Sequence, residues 1–130
     1  MSGHEWRWVG DALELMQVGY SAKELHDGGF PARQLKAIGF TPHALREAGF
    51  SAVALEEVGF SAKELSEGGY TPDNLVAACF TGAELRVAGV TAQALRKAGL
   101  SAKELKEGGY SLAELRSAGY PAWKLKEVGL

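Results

Sequence analysis

The chain has 130 residues, of which 46% are apolar and 23% are charged, a composition typical of one soluble globular domain. Its net charge of −2 gives no whole-molecule field that would favour nucleic acid or an anionic membrane, and its one cysteine excludes an internal disulfide. No apolar run approaches the roughly 20 residues of a membrane-spanning helix. Since the N-terminus also lacks the apolar segment of a secretory signal, we expect an intracellular protein.

Residues 1–10 form an aromatic lead-in that contains Trp6 and Trp8. Solenoid repeats need a cap at their ends, so we interpret this segment as a lid over the first repeat. An aromatic binding surface is the alternative interpretation.

Residues 11–130 consist of twelve ten-residue repeats, here called decads, with positions numbered one to ten from Asp11. The first position holds a helix N-cap residue in ten decads: Asp11, Ser21, Thr41, Ser51, Ser61, Thr71, Thr81, Thr91, Ser101 and Ser111. In six decads a Glu three residues later predicts a capping box: Glu14, Glu24, Glu64, Glu84, Glu104 and Glu114. Pro42 and Pro72 follow their caps at the position that proline tolerates best.

The end of each decad carries helix stop signals. The ninth position is Gly in eleven of twelve decads, where it can adopt the left-handed conformation that ends a helix. An aromatic or aliphatic residue at the tenth position suits the apolar contact of a Schellman motif. The pattern therefore predicts twelve short helices of about two turns each.

Leu occupies the fifth position of every decad, and the second and eighth positions are mostly small or apolar. Isolated helices shorter than about 12–15 residues are marginal in water, so these helices must bury their apolar stripes against one another. We predict an all-α solenoid in residues 11–130.

A longer period lies above the ten. Gly28-Gly29, Gly68-Gly69 and Gly108-Gly109 are the double glycines of the chain, and they are 40 residues apart. We interpret them as crowded corners of a coil with about four helices per superhelical turn. Duplication of a 40-residue unit without geometric meaning is the alternative.

Charges alternate along each decad. Glu is frequent at the fourth position, and the sixth position is basic in seven decads: Lys36, Arg46, Arg86, Arg96, Lys106, Arg116 and Lys126. Acid early and base late in a helix suit its dipole, so we interpret the charges as a solvated face. A nucleic-acid groove along the sixth-position stripe is the alternative, although acidic residues flank that stripe.

One region breaks the pattern. Cys79 replaces the usual Gly, Gly82 replaces Ala, and Val76 and Val87 stand at positions that are usually polar. Because local departures of this kind often mark function, we predict a partner-binding surface there, with repeat drift as the alternative. Its candidate residues are Asp73, Asn74, Val76, Cys79, Val87 and Val90.

The sequence carries no catalytic, metal-binding or cofactor-binding motif. His4, His26 and His43 occupy unrelated decad positions, Cys79 has no neighbouring His, and the regular glycines do not form a phosphate-binding loop. We therefore expect no cofactor and no enzymatic activity.

The whole of residues 11–130 resembles the tandem decapeptide arrays of the type Phe-Ser-Ala-x-x-Leu-Lys-x-Ala-Gly, with Leu and Gly in register and departures at Cys79, Gly82 and Val90. The resemblance implies no particular activity. The five-residue spacing of apolar residues is also similar to pentapeptide-repeat β-helices. That fold would bury charged residues such as Lys23 and Arg33, which is costly, so we favour helices.

We expect a structural or protein-binding scaffold that also associates end to end. Trp123, Val128 and Leu130 would form an apolar C-terminal end, and Trp6 and Trp8 an aromatic N-terminal one. Two unlike apolar ends can meet head to tail. The alternative is that Trp123 folds back and seals its own end.

Overall fold

The computed structural model describes the backbone of residues 2–129 and the side chains of residues 10–129, and within this part the regular elements are all helices. The first helix, α1 (Ser2–Gln17), has 16 residues, and the others have six residues each. They are α2 (Ala22–Asp27), α3 (Ala32–Ala37), α4 (Pro42–Glu47), α5 (Ala52–Glu57), α6 (Ala62–Glu67), α7 (Pro72–Ala77), α8 (Gly82–Val87), α9 (Ala92–Lys97), α10 (Ala102–Glu107), α11 (Leu112–Ser117) and α12 (Ala122–Glu127). The prediction of one helix per decad is confirmed.

The helices begin where the caps predict. In nine decads the first-position hydroxyl accepts a hydrogen bond from the backbone N–H of the fourth residue, as Ser61 does from Glu64 at 3.1 Å. The capping boxes at Glu24, Glu64, Glu84, Glu104 and Glu114 are confirmed, because each carboxylate also accepts from the first-position N–H.

The predicted cap at Asp11 and the capping box at Glu14 are wrong, because both residues lie inside α1. The chain reaches Asp11 already in helical conformation, so the backbone N–H groups that follow have carbonyl partners one turn earlier. The helix thus crosses the boundary between the lead-in and the first decad without a break in secondary structure.

Each short helix from α2 to α11 ends in the predicted Schellman motif, and after α12 the second bond of the motif falls on Leu130, which lies outside the described residues. In decad 61–70 the Gly69 N–H donates to the Ser66 carbonyl and the Tyr70 N–H donates to the Leu65 carbonyl, at 3.1 and 3.0 Å. The ninth-position glycines have φ between 82° and 109°, which other residues rarely adopt.

The fifth-position leucines form a continuous core. The nine leucines from Leu35 to Leu115 are fully buried, and second- and eighth-position alanines surround them. Burial of each Leu contributes roughly 1.5–3 kcal/mol, which neighbouring decads supply to one another. The predicted α-solenoid is confirmed.

The stacking period differs from the predicted four helices per turn. Helices two apart in the chain make the most extensive contacts, for example α4 with α6 and α8 with α10. Among the described residues the main stacking contacts thus join helices about 20 residues apart, which does not by itself account for the 40-residue spacing of the double glycines.

Close approach of two helices accounts for two of the three double glycines. A Cβ at Gly68 would lie 2.8 Å from the Pro42 Cβ, and a Cβ at Gly108 would lie 2.5 Å from the Gly82 carbonyl carbon. A Cβ at Gly28 would instead meet only carbonyl oxygens of its own helix, at 3.4 and 3.5 Å. Crowding is thus confirmed at Gly68 and Gly108 and is not found at Gly28.

Candidate functional site

The sixth-position basic side chains reach the helix two decads further along the chain. Lys36 Nζ donates to the Val58 carbonyl at 2.8 Å, Arg46 Nε to the Gly68 carbonyl at 3.2 Å, and Lys106 Nζ to the Val128 carbonyl at 2.9 Å. The carbonyls of a last helical turn have no partner within the helix, and a cation there also complements the helix dipole. Each of these bonds spans 22 residues and joins a sixth position to an eighth.

Ring contacts follow the same register. Lys36 Nζ lies 4.8 Å from the centre of the Phe60 ring, and the Arg96 guanidinium carbon lies 5.7 Å from that of Tyr120. The His26 ring packs 4.1 Å from the Phe50 ring. A sixth-position side chain therefore covers the tenth-position ring two decads on, and these contacts stabilise the stack.

Tyrosine hydroxyls make a second link between decads two apart. Tyr70, Tyr110 and Tyr120 donate hydrogen bonds to the carbonyls of the tenth residues 20 positions earlier, which are Phe50, Val90 and Leu100. Burial raises the pKa of all three tyrosines above the usual 10.0. These hydroxyls are therefore structural donors.

The basic stripe is only in part the solvated face that we predicted. Lys36, Arg46 and Lys106 are used in bonds to the protein's own carbonyls, and Arg86 and Arg96 lie against Gly109 and Gly119. Side chains held in this way are poorly placed to follow a phosphate backbone, so the geometry gives the nucleic-acid alternative no support.

The candidate partner surface divides into exposed and structural residues. Asp73, Cys79 and Val87 are exposed, and Val87 keeps 74% of its surface in contact with solvent. Val76 is half-buried against the core. These four residues, together with the exposed Asn74, form the accessible part of the predicted surface.

Two candidates have structural roles instead. Val90 is buried, and its carbonyl accepts from the Tyr110 hydroxyl. Asn74 is exposed and forms a capping box with Thr71, which was not predicted because the residue at this position is not the usual Glu.

A groove of about 550 Å³ opens beside Val76 and Cys79. Phe80 and Leu100 also line it, and Glu104 and Glu107 contribute acidic groups. Gly82 and Gly108 belong to the same groove, and neither has a side chain to fill it.

Gly82 is explained by packing. Its Cβ would lie 2.8 Å from the Glu104 carbonyl oxygen, so α8 and α10 approach more closely than alanine allows. Cys79 is the non-glycine residue with positive φ in the described chain, at 68°. In decad 61–70 a Cβ at Gly69 would lie 2.7 Å from Arg46 Nε, whereas the equivalent sixth position before Cys79 is Glu56, which is exposed.

The predicted end-to-end interface is described only in part. Trp123 is 60% exposed with Lys124 Nζ 5.6 Å from its ring centre, and Val128 is partly buried against the core. Leu130 and the side chains of Trp6 and Trp8 lie outside the described residues. Leu112 is 52% exposed and was not among the predicted residues, although a Leu at the usually small second position is a signal in the sequence.

Metal sites and membrane-spanning helices are two further features that the described part of the chain could contain. No group of three or more His, Cys, Asp or Glu side chains there could hold a metal ion. Among residues 2–129, no helix is both long and apolar enough to cross a membrane.

Comparison with known proteins gives a family. Residues 11–82 and 69–130 each match the family described as a decapeptide repeat region, and the two matches together span every decad. No curated protein and no solved structure matches the chain. The repeat register, the cap and stop residues and these two matches agree, and the chain belongs to the decapeptide repeat region family.

Proposed function

We propose that this chain is a non-catalytic scaffold that binds a protein partner through the surface formed by Asp73, Val76, Cys79 and Val87. The observation that carries the proposal is Val87, a large aliphatic residue with 74% of its surface exposed, close in sequence to a groove with apolar walls. Exposed apolar surface of this kind is typical of partner sites. The remaining repeat positions serve the stack, as their caps and links between decads indicate.

The test compares two double variants of equal charge. Val76→Lys with Val87→Glu changes the proposed surface, and Val18→Glu with Val53→Lys changes exposed residues elsewhere, at 69% and 41% exposure in the parent chain. Proteins recovered with the tagged parent chain are identified by mass spectrometry, and their affinities are then measured with purified components. We expect the first variant to lose binding and the second to keep it. Equal binding by both would overturn the proposal.

We further propose weak self-association through Trp123 and Leu112, two large apolar side chains that are exposed to solvent. Light scattering across a concentration series should then give a mass above 13.8 kDa. Trp123→Lys should reduce that mass. A monomer at every concentration would mean that Trp123 is not an interface.

A further inference from the structure

Three consecutive decads lack the sixth-position cation. The residues are Glu56, Ser66 and Val76, and the 22-residue register directs this position to the C-terminal turns of α7, α8 and α9. Among the described residues no side chain donates a hydrogen bond to the carbonyls of Ala78, Ala88 or Ala98, which end these turns. In the decads before and after, Lys36, Arg46 and Lys106 donate to the equivalent carbonyls, whereas Arg86 and Arg96 lie against Gly109 and Gly119 without a hydrogen bond to the Gly108 and Ala118 carbonyls in the described residues.

The charge of the chain follows the same division. Residues 51–80, the three decads in question, contain five acidic residues and one basic residue, a net charge of −4, whereas residues 31–50 carry +2, residues 81–130 carry +3 and residues 1–30 carry −3. The segment without the cations is therefore acidic, and the segments on either side of it are basic. A phosphate backbone would be repelled there, and a cationic group would be attracted.

The groove beside Val76 is where the missing cation of decad 71–80 would lie. In the corresponding groove of decad 91–100, of about 580 Å³, the chain's own Arg96 occupies this place beside the Tyr120 ring. At Val76 the apolar wall is present, with Leu100 in place of the ring, and Glu104 and Glu107 lie at the edge. The groove thus has an apolar wall and two carboxylates, and no Lys or Arg is among its lining residues.

We propose that this groove binds an arginine- or lysine-rich segment of another protein, whose side chain takes the place that Arg46 and Lys36 take in their own decads. The aliphatic part of that side chain packs on Val76 and Leu100, as long basic side chains commonly do on apolar surface. Its charged end donates to the Ala98 carbonyl and pairs with Glu104 or Glu107. This inference rests on the proposed function, since it names the partner chemistry of the same surface.

The test uses a fluorescein-labelled hexa-arginine peptide, with hexa-glutamate as its opposite, and fluorescence anisotropy at low salt. The triple variant Glu56→Lys, Ser66→Arg, Val76→Arg restores the chain's own cations. A control with the same charge change, Val53→Lys, Glu67→Lys, Ala77→Lys, places the new charges at exposed third and seventh positions. We expect the triple variant to bind hexa-arginine about tenfold more weakly and the control to lose less than about threefold.

Cys79 reports the location, because it is the only cysteine in the chain and lines the groove. Hexa-arginine should slow the reaction of Cys79 with a maleimide. A thiol moved to an exposed site in α1, far from the groove along the chain, in Cys79→Gly with Gln17→Cys, should react at an unchanged rate.

Four results would overturn the inference: no binding of hexa-arginine, equal losses in the triple variant and its control, Cys79 reactivity that hexa-arginine leaves unchanged, or light scattering that identifies a second copy of the chain as the occupant. The scaffold proposal has its own readout, the partners lost by the Val76 and Val87 variant. It can therefore survive if the partner proves not to be basic.

Discussion

Decads 61–70 and 71–80 are neighbours with the same helix, the same buried Leu and the same capping box, yet they are linked to the stack differently. In decad 61–70, Gly68 lies against Pro42 and receives the Arg46 side chain at its carbonyl, while the Tyr70 hydroxyl reaches Phe50. Decad 71–80 has Ala78, Cys79 and Phe80 at the corresponding positions, and in it no such side-chain hydrogen bond is found among the described residues.

The backbone geometry of the two decads differs at the ninth and tenth residues. Cys79 has φ 68°, inside the left-handed region that ordinary residues can enter, whereas Gly69 has φ 102°. The tenth-to-fifth bond that closes the turn is 3.4 Å at Phe80 and 3.0 Å at Tyr70. A decad can therefore keep its fold without the side-chain hydrogen bonds that join it to the decad two positions away, and its surface then remains accessible.

The largest effect should come from adding one carbon to the tight contact of decad 61–70. Gly68→Ala places a Cβ 2.8 Å from the Pro42 Cβ and 3.0 Å from the His43 nitrogen, so α4 and α6 must separate. We expect the free energy of unfolding in urea to fall by about 1–3 kcal/mol, the usual range for overpacking.

Gly28→Ala is the matched control, because Gly28 has the same position and backbone conformation but no such neighbour. Gly28→Ala should leave the free energy of unfolding unchanged or raise it by about 0.4–1 kcal/mol, because alanine lowers the conformational entropy of the unfolded chain. If the two variants unfold alike, the close contact with Pro42 does not limit the size of residue 68.

Exchange of the ninth residues should make the two decads alike. A residue other than glycine loses about 1–2 kcal/mol of stability in the left-handed region. Glycine avoids this strain, but its greater conformational entropy in the unfolded chain offsets part of the gain. Cys79→Gly should therefore stabilise the protein by roughly 0.5–1 kcal/mol. Gly69→Cys should destabilise it by more than that, because φ is 102° and Arg46 lies in the way. Urea unfolding of both variants measures this, and a stabilising Gly69→Cys would contradict it.

The sequence predicts what one decad does by itself, because caps, stop residues and the fifth-position Leu act within ten residues. It predicts less well what joins two decads, such as the bonds from Lys36 to Val58 and from Tyr70 to Phe50, since these depend on which helices stack. The 40-residue spacing was visible, but its interpretation as a four-helix turn required that same stacking order. Pairing of Gly68 with Pro42, and of Gly108 with Gly82, explains two of its three occurrences more directly.

The hydrogen bond from the Tyr70 hydroxyl predicts that the stability of the protein falls at high pH. Tyr70→Phe removes the hydrogen bond to the Phe50 carbonyl and should cost about 0.5–1.5 kcal/mol at neutral pH. Burial raises the pKa of Tyr70, although Arg46 partly opposes this, so folding favours the neutral phenol. Its stabilisation is complete below pH 10.0 and is lost as the pH rises through the higher folded pKa.

Stability of the parent chain should therefore fall above about pH 10 more steeply than that of Tyr70→Phe, measured by urea unfolding at pH 8 to 11. Tyr20→Phe is the control, because Tyr20 is 47% exposed. If Tyr20→Phe reproduces the loss at neutral pH, the buried hydroxyl link is not the cause.

The smallest effect tests whether decad 71–80 can be linked again. Glu56→Lys places a cation at the sixth position from which the 22-residue register of Lys36 and Arg46 leads to the C-terminal turn of α7, where no side chain of the described residues donates to the Ala78 carbonyl. A cation at a helix C-terminus contributes about 0.3–1 kcal/mol, and removal of the acid adds in the same direction.

Glu57→Lys makes the same charge change at the exposed seventh position, outside the register, and should have little effect. The difference between the two variants in urea unfolding should shrink at 1 M salt, where the screening length is about 3 Å. If Glu56→Lys and Glu57→Lys change the free energy of unfolding equally at low salt, the hydrogen bond from Arg46 to Gly68 is specific to those two decads and cannot be transferred to other repeats. A gain confined to Glu56→Lys would show that the open surface of decad 71–80 exists because the chain leaves that position without a cation.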